Sequence, residues 1–287
     1  MTRAARPDAF RVLTAVADRS AAQIAAENFP VALRVLPRHA RSALTAVYTY
    51  ARFVDDVGDE APGDRLALLD AVADEVHGAW QAMPTSLAPV TGLQPWIGSA
   101  GLQSQPFLDL IEANRLDQRQ KRYSTFDDLM GYCRLSAVPI GRIVLRLADA
   151  DDERNVADSD SICAALQVLE HCQDVGEDAR MGRVYLPQDD LAEEGVADAQ
   201  LEGTTTPSAL RSVVAREVRQ AEELMAAGAP LVRRLSGWSR LAVAGYLAGG
   251  QATAAALRAA DYDVLSRTIK AAKLRTVGLL AKRVVGR

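Results

Sequence analysis

Two short acidic elements contain the residues of this chain that are best suited to chemistry. The first reads ARFVDDVGDE at 51–60, and the second reads EHCQDVGEDAR at 170–180. On a helix, Asp55 and Asp59 of the first element would share one face, because side chains four residues apart have Cβ atoms about 6 Å apart. Like charges at that spacing repel each other, so the arrangement calls for an explanation.

The second element repeats this pattern, since Asp174 and Asp178 are four residues apart and Glu170 extends the stripe by one turn. A solvated acidic face is one explanation of either element alone. Both elements, however, end apolar helical runs without a matching stripe of Lys or Arg, and carboxylates on buried helices need a cation. All-oxygen ligands favour Mg²⁺, which also takes phosphate oxygens. The pattern therefore predicts Mg²⁺ and a phosphate-bearing substrate.

The histidines exclude a di-iron carboxylate site, which is the main competing metal site on facing helices. Such a site needs Glu-x-x-His motifs, and none of His39, His77 and His171 stands three residues after a glutamate. His171 points about 100° away from the acidic stripe, so we predict a partly buried polar residue rather than a ligand. No glycine-rich fingerprint follows a strand, which excludes a Rossmann-type nicotinamide site.

The elements that position these acids are predicted to be helices throughout, because apolar residues recur at spacings of three and four. A helix is predicted over 38–60, the next follows the cap Asp64, and another starts at Ser124-Thr125. The break at 83–106 is interpreted as a long connection between helices, with a domain linker as the alternative. The later predicted helices are 160–178, a short acidic one after GRVYLPQDD, 207–235 and 238–286.

Charge is unevenly distributed along the 287 residues. The chain has 33 Lys and Arg against 37 Asp and Glu, and this net charge of −4 argues against nucleic acid as a partner. Residues 267–287 hold seven of the basic residues and no acid, which leaves 26 against 37, a net of −11, before them. This basic tail is interpreted either as a helix on an anionic membrane surface or as a terminal core helix with a solvated basic face.

Cysteine usage and hydropathy indicate the compartment. Cys133, Cys163 and Cys172 form an odd set without a CxxC pair, which favours a reducing environment. No window reaches about 18 consecutive apolar residues, and the N-terminus lacks the apolar run of a signal peptide. We therefore predict a cytoplasmic protein without a membrane span, with peripheral contact at the inner face of the membrane if the basic tail binds there.

Four segments resemble the squalene/phytoene synthases, the head-to-head branch of the all-helical isoprenoid synthases. They are YTYARFVDDVGDE at 48–60, YCRLSAVPIG at 132–141, LQVLEHCQDVGEDARMGRVYLP at 166–187 and ALRAADYDVLSR at 256–267. The resemblance covers nearly the whole chain and implies a single-domain, all-α helical bundle over 1–287 with a central active-site cavity. Within the family, AENFPVALRVLP at residues 26 to 37 is similar to the hydroxysqualene synthases of the bacterial hopanoid pathway.

This resemblance implies an activity, the Mg²⁺-dependent ionisation of presqualene diphosphate, with rearrangement and capture by water to give hydroxysqualene and diphosphate. Other squalene-pathway enzymes would be its partners. One alternative is another head-to-head prenyl synthase, which makes squalene, dehydrosqualene or phytoene. A second alternative is a catalytically inactive member that serves as an assembly protein. An inactive member would be expected to have lost the paired aspartates, and this sequence retains both pairs.

The resemblance also implies roles for individual residues. Glu170 stands where the family usually has Asn, and Val138 stands where Asn is frequent. Because a glutamate still offers oxygens to a metal, the first change affects the geometry of one ion more than its presence. The implied metal ligands are Asp55, Asp59, Glu170, Asp174 and Asp178, the catalytic residues are Tyr48, Tyr132 and Gln167, and the substrate-binding residues are Arg52, Arg183, Arg267 and Phe29.

Overall fold

The computed structural model describes residues 6–26 and 36–269. Within these ranges the named secondary-structure elements are all α-helices. In addition, Arg122 and Val184 form an isolated β-bridge. The predicted all-α class is confirmed. The helices are α1 (Arg6–Ala26), α2 (Arg38–Glu60), α3 (Arg65–Trp80), α4 (Ala88–Thr91), α5 (Gln94–Ser99), α6 (Gln105–Arg119), α7 (Phe126–Ser136), α8 (Val138–Leu147), α9 (Glu153–Gln173), α10 (Val175–Arg180), α11 (Gln188–Glu193), α12 (Asp198–Leu201), α13 (Ser208–Gly228), α14 (Leu231–Arg234) and α15 (Gly237–Ala259).

The chain divides into two compact units. The first comprises residues 1–119 and 143–149, and the second comprises 120–142 and 150–287. The connection at residues 83 to 106 lies inside the first unit and contains the short helices α4 and α5, so it connects helices and is not the boundary between the units. The single domain and its central cavity stay predictions. Among the described helices, none is long and apolar enough to cross a membrane.

In the first unit, helices α1, α3 and α6 pack against α2. Phe53 on α2 is fully buried. The hydroxyl of Tyr50 donates a 2.8 Å hydrogen bond to the carbonyl of Phe107, and the two rings meet edge to face with centroids 5.2 Å apart. These contacts hold α2 against α6 next to the first acidic element. The side chain of Asp64 accepts a 3.0 Å hydrogen bond from the backbone of α3, which confirms the predicted cap.

In the second unit, helices α7, α13 and α15 pack against α9. Helix α13 passes α9 closely at Gly228, where a Cβ atom would lie 2.6 Å from Cγ1 of Ile162, so that only glycine fits. Thr125 begins α7 with a capping box, because its hydroxyl accepts from the backbone N–H of Asp128 at 3.2 Å while that carboxylate accepts from the N–H of Thr125 at 3.1 Å. The predicted start of this helix is confirmed.

Two predicted helices end earlier than expected. The helix predicted over 207–235 stops at Gly228, and α14 follows separately after Pro230, a residue that lacks the N–H needed to continue a helix. The helix predicted over 238–286 stops at Ala259. Asp261 and Tyr262 follow with φ of 52° and 53°, in the left-handed region that a right-handed helix cannot include. Residues 270 to 287, the larger part of the basic tail, lie outside the described residues.

Candidate active site

Four of the predicted site residues lie along one stripe of helix α2. Tyr48, Arg52, Asp55 and Asp59 follow one another at spacings of four, three and four, which places them within about 60° of the helix surface. Both aspartates are exposed, and Tyr48 and Arg52 are half-buried. The helix therefore presents two carboxylates on one face, as their spacing predicted. Their role as metal ligands stays a prediction.

Asp56, between these two aspartates, has different surroundings because it is buried. Its Oδ2 accepts a 2.5 Å hydrogen bond from the hydroxyl of Ser20, and its Oδ1 accepts a 3.0 Å hydrogen bond from Nε of Arg52. Since Ser20 belongs to α1, this carboxylate ties α1 to α2. The sequence analysis did not distinguish Asp56 from Asp55, although Asp56 lies one residue away from the acidic stripe.

The guanidinium of Arg52 is held from two sides. Its Nε is paired with Asp56, and its Nη2 donates a 3.2 Å hydrogen bond to Oε1 of Gln23 on α1. These contacts restrain the plane of the guanidinium at a position about one turn before Asp55. A restrained, planar guanidinium is well suited to bind phosphate oxygens.

Helix α6 supplies a contact to Asp55 that the sequence analysis missed. Nδ2 of the buried Asn114 donates to Oδ1 of Asp55 at 3.0 Å and to the carbonyl of Leu110 at 3.1 Å. One turn later, Nε2 of Gln118 donates to the carbonyl of Gly58 at 3.0 Å. No local pattern signals this contact, because Asn114 lies 59 residues beyond Asp55.

The second acidic element spans the break between α9 and α10. The helix predicted over 160–178 is wrong here, because Asp174, with φ of −103° and ψ of 12°, separates two helices. Aspartate competes with the helical backbone through its own side chain, and Gly176 weakens the helix further. The N–H of Asp174 still donates to the carbonyl of Glu170 at 3.0 Å, and the N–H of Asp178 donates to the carbonyl of Asp174 at 2.8 Å. The three acids therefore keep their spacing of one turn.

Two carboxylates of this element have pKa values above the ordinary range. Desolvation by the surrounding atoms raises the pKa of Glu170, although the residue remains accessible to solvent, and the nearby charge of Asp174 raises it further. Burial also raises the pKa of Asp174, and the charge of Glu177 adds to the effect. The protein atoms around this element therefore disfavour its negative charge. A bound cation would reverse that preference.

His171 lies at the centre of the predicted site residues of the second unit. Its Nε2 is 3.3 Å from Nε2 of Gln167, and its Nδ1 is 3.9 Å from Oδ2 of Asp178. Burial lowers the pKa of His171 to about 3, and the charge of Arg183 contributes in the same direction. The imidazole is therefore neutral at neutral pH, and its contact with Asp178 is not an ion pair. The histidine was predicted to be partly buried, and the structure buries it more deeply, with 7% of its surface exposed.

An aromatic cluster surrounds this histidine. Tyr185 stacks on the imidazole with ring centroids 3.8 Å apart, and the centroid of Tyr132 is 5.2 Å from that of Tyr185 and 5.9 Å from that of His171. Tyr123 completes the cluster by stacking on Tyr185 at 5.7 Å. The structure therefore brings Tyr132, Gln167 and Asp178 together. The sequence analysis missed Tyr123 and Tyr185, although Tyr185 stands in the segment GRVYLP.

The other predicted substrate contacts have different surroundings. Arg183 is half-buried and close enough to His171 for its charge to affect the pKa of the imidazole. Arg267 is exposed, and its Nη2 donates a 3.3 Å hydrogen bond to the carbonyl of Ala260. Its role in substrate binding stays a prediction. Phe29 lies outside the described residues.

The donor chemistry of both acidic elements fits Mg²⁺. Asp55 and Asp59 belong to the first unit, and the acids of the second element belong to the second unit. In the part of the chain that the structure describes, no group of three or more His, Cys, Asp or Glu side chains is arranged to hold a metal. Mg²⁺ does not require such a cage, because it usually takes one or two carboxylates and completes its shell with water and phosphate oxygens.

Sequence and structure comparisons identify the family. The squalene/phytoene synthase model matches residues 23–275. The hydroxysqualene synthase of Zymomonas mobilis is 34% identical over 91% of this chain and 88% of its own length. The chain belongs to the squalene/phytoene synthase family. The hydroxysqualene synthase of Sinorhizobium fredii is 33% identical over 76% of this chain and 74% of its own length. Since relatives in the family are named as synthases, the chain is an enzyme of this family.

Solved structures of squalene/phytoene synthases show the same fold. The squalene synthase HpnC from Alicyclobacillus acidocaldarius superposes with a TM-score of 0.78 at 37% identity, over 88% of this chain and 96% of that chain. A dehydrosqualene synthase bound to a ligand superposes with a TM-score of 0.82 over 96% of this chain and 98% of its own, and at 23% identity this match shows the fold alone. The helical isoprenoid synthase architecture that the resemblance implied is confirmed.

Proposed function

We propose that this enzyme converts presqualene diphosphate and water into hydroxysqualene and diphosphate in hopanoid and squalene biosynthesis. The observation that carries the proposal is the similarity to a hydroxysqualene synthase over 91% of the chain, with the paired carboxylates of both elements present. In this reaction the carbon–diphosphate bond breaks, the carbocation rearranges, and water supplies the hydroxyl group and loses a proton. The diphosphate leaves with the bonding electrons.

Mg²⁺ is the proposed cofactor of both acidic elements. Asp55 and Asp59 would bind Mg²⁺ in the first unit, and Glu170, Asp174 and Asp178 would bind Mg²⁺ in the second unit. When bound, Mg²⁺ would neutralise the charge that develops on the leaving diphosphate. The raised pKa values of Glu170 and Asp174 support this role, because they indicate negative charge that the surrounding protein atoms do not compensate.

Three arginines are proposed to bind the diphosphate oxygens. Arg52 is the best supported, because its pairing with Asp56 and Gln23 restrains the guanidinium next to Asp55. Arg183 would contribute from the second unit, and Arg267 would contribute from the segment after α15. Charge-assisted hydrogen bonds from guanidinium to phosphate are short and strong, so they favour departure of the diphosphate.

The aromatic cluster is proposed to protect the carbocation. The π face of Tyr132 can stabilise positive charge, and apolar surroundings delay capture by water. The neutral imidazole of His171 adds no charge that would repel a cation. Gln167 and Tyr48 are proposed to orient the reacting chain. Phe29 would provide an apolar contact with it.

The decisive experiment supplies the purified enzyme with presqualene diphosphate and Mg²⁺, without NADPH, and identifies the products by mass spectrometry. Hydroxysqualene that carries ¹⁸O from labelled water would support the proposal, because water must provide the hydroxyl oxygen. A second incubation with EDTA should show no turnover. Absence of hydroxysqualene in the complete mixture would reject the proposed reaction.

A second candidate function is favoured by the solved relative named squalene synthase, which is 37% identical to this chain. An enzyme of that kind would make squalene, and formation of squalene from the rearranged cation needs a hydride donor. Farnesyl diphosphate with Mg²⁺ and NADPH is the test mixture. Squalene from this mixture, with no hydroxysqualene in the absence of NADPH, would favour the second candidate. Phytoene or dehydrosqualene would indicate another head-to-head synthase.

Peripheral membrane contact is proposed for the basic residues from 267 onward, because a polyprenyl substrate and product dissolve in membranes. Cations among apolar residues favour anionic lipid surfaces. A flotation assay with vesicles of phosphatidylcholine, with and without phosphatidylglycerol, would test the proposal in a cytoplasmic extract. Binding that does not depend on phosphatidylglycerol would argue against a role for the basic residues.

A further inference from the structure

We propose that Asn114 is a positioning residue that orients the carboxylate of Asp55 for Mg²⁺. The inference rests on the proposed function, in which Asp55 binds the cation, and extends it to a residue of helix α6. The observation behind it is the 3.0 Å hydrogen bond from Nδ2 of Asn114 to Oδ1 of Asp55. This bond restrains the rotation of the carboxylate from outside its own helix.

The amide of Asn114 is itself restrained. Its Nδ2 also donates to the carbonyl of Leu110 at 3.1 Å, so both N–H donors are directed, one to its own helix and one to Asp55. The residue is only 7% exposed. A buried amide with two directed donors has little freedom to follow a mobile carboxylate. The carboxylate must therefore adopt the orientation that the amide sets.

Gly58 makes this contact sterically feasible. A Cβ atom at Gly58 would collide with Oδ1 of Asn114 and would lie 2.8 Å from its Cγ and 3.1 Å from its Cβ. Glycine within a helix costs about 1 kcal/mol relative to alanine, yet α2 carries one next to its acidic stripe. The missing side chain provides the space that Asn114 occupies. Gln118, one turn later on α6, donates to the carbonyl of Gly58 at 3.0 Å.

A neutral donor suits this position better than a basic side chain would. Arginine or lysine would orient Asp55 but would also neutralise the charge that attracts the metal. An amide hydrogen bond directs the carboxylate and leaves its charge intact. Partners of metal-binding carboxylates commonly contribute in this way, and their removal typically weakens metal binding about 10- to 100-fold.

The test compares four variants, Asn114→Ala, Asn114→Leu, Gly58→Ala and the double variant Gly58→Ala/Asn114→Ala. Calorimetry with Mg²⁺ and inorganic pyrophosphate measures binding, urea unfolding measures stability, and kinetics give the apparent KM for Mg²⁺ and kcat. Both Asn114 variants should bind Mg²⁺ about 10-fold more weakly or worse, with a larger change in KM than in kcat. Asn114→Leu keeps the volume without the donors. Gly58→Ala should weaken binding as well, because its methyl group displaces the amide.

The double variant separates positioning from packing. Alanine at position 58 restores helix propensity and fills the space left by the amide, so the urea midpoint should rise above that of Asn114→Ala. Mg²⁺ binding should stay as weak as in Asn114→Ala. Recovery of binding together with stability would overturn the proposal. Unchanged Mg²⁺ binding in Asn114→Leu would overturn it as well.

Asn155→Leu is the matched control. Asn155 is also buried and donates to the carbonyl of Ala150 at 3.0 Å, but it lies in the first turn of α9, in the second unit. This variant should lower the urea midpoint and leave Mg²⁺ binding unchanged. An equal loss of binding in the control would overturn the specific role of Asn114. If the wild-type enzyme neither binds Mg²⁺ with pyrophosphate nor turns over substrate, the proposed function itself fails, and the positioning role fails with it.

Discussion

The imidazole of His171 stacks on the phenol ring of Tyr185, with centroids 3.8 Å apart and planes 14° apart. The same imidazole is 3.9 Å from the carboxylate of Asp178, which is a proposed metal ligand. Because burial keeps the imidazole neutral, the stack supports the second acidic element without pairing its charge. The aromatic cluster and the proposed metal site are therefore one connected structure within the second unit.

Replacement of Tyr185 tests this connection. Tyr185→Ala should destabilise the protein by about 3 kcal/mol or more, because a buried ring is lost, and should lower kcat as His171 loses its support. Tyr185→Phe keeps the ring and the stack, so both its stability and kcat should stay much closer to those of the wild type. Urea unfolding and steady-state kinetics measure the two effects. Equal kcat values for the two variants would contradict a role for the stack.

The aspartates of the first element should respond differently to removal of charge. Asp59→Asn should lower kcat by about 100-fold or more with little loss of stability, because Asp59 is exposed. Asp56→Asn should lower stability by about 1–3 kcal/mol, since the buried carboxylate binds Ser20 and Arg52. Circular dichroism, urea unfolding and kinetics together distinguish these outcomes. Full activity of Asp59→Asn would mean that the acidic stripe is only a surface.

Arg52→Lys tests the restrained guanidinium. Lysine retains the charge but cannot present Nε to Asp56 and a second nitrogen to Gln23 in one plane. We expect the KM for the diphosphate substrate to rise about 10-fold and stability to fall by about 1 kcal/mol. Arg38→Lys, an exposed arginine at the start of the same helix, serves as the control. If Arg52→Lys has the same KM as the wild type, the planar guanidinium of Arg52 does not bind the diphosphate.

Because of Glu217 on α13, we expect the free energy of unfolding to depend on pH. The side chain is fully buried, and burial, followed by Asp190, raises its pKa to about 9. Between its ordinary pKa and about 9, the folded protein holds a proton that the unfolded chain has lost. Stability should therefore fall as pH rises through this interval, by at most about 1.4 kcal/mol per pH unit.

Glu217→Gln removes the titrating group and keeps its shape. The variant should show a flatter stability profile in urea unfolding between pH 6 and pH 9, and it should be more stable than the wild type at pH 8. Glu223→Gln, which is exposed on the same helix, should retain the wild-type slope. A wild-type slope in Glu217→Gln would show that another group causes the dependence.

Local features of the fold could be predicted from the sequence. Helix α2 has the predicted bounds, and Asp64 and Thr125 cap the N-termini of α3 and α7, as the sequence predicted. Capping and apolar periodicity depend on residues within one or two turns, so a linear pattern contains them. The broken helix at Asp174 and the early end of α15 at Ala259 were not predicted. At both places the backbone leaves the helical conformation, although the spacing of apolar residues in the sequence remains that of a helix.

The family, the helical class and the spacing of the acidic residues follow from the amino-acid sequence alone. The surroundings of each acid depend on the packing of the helices, because Asp56 is buried against α1 while Asp55 is exposed next to it on the same helix. Asn114, which donates to Asp55, lies 59 residues further along the chain, and it occupies the space left by the missing side chain of Gly58. Such contacts arise from the packing of distant helices, so no pattern of neighbouring residues contains them.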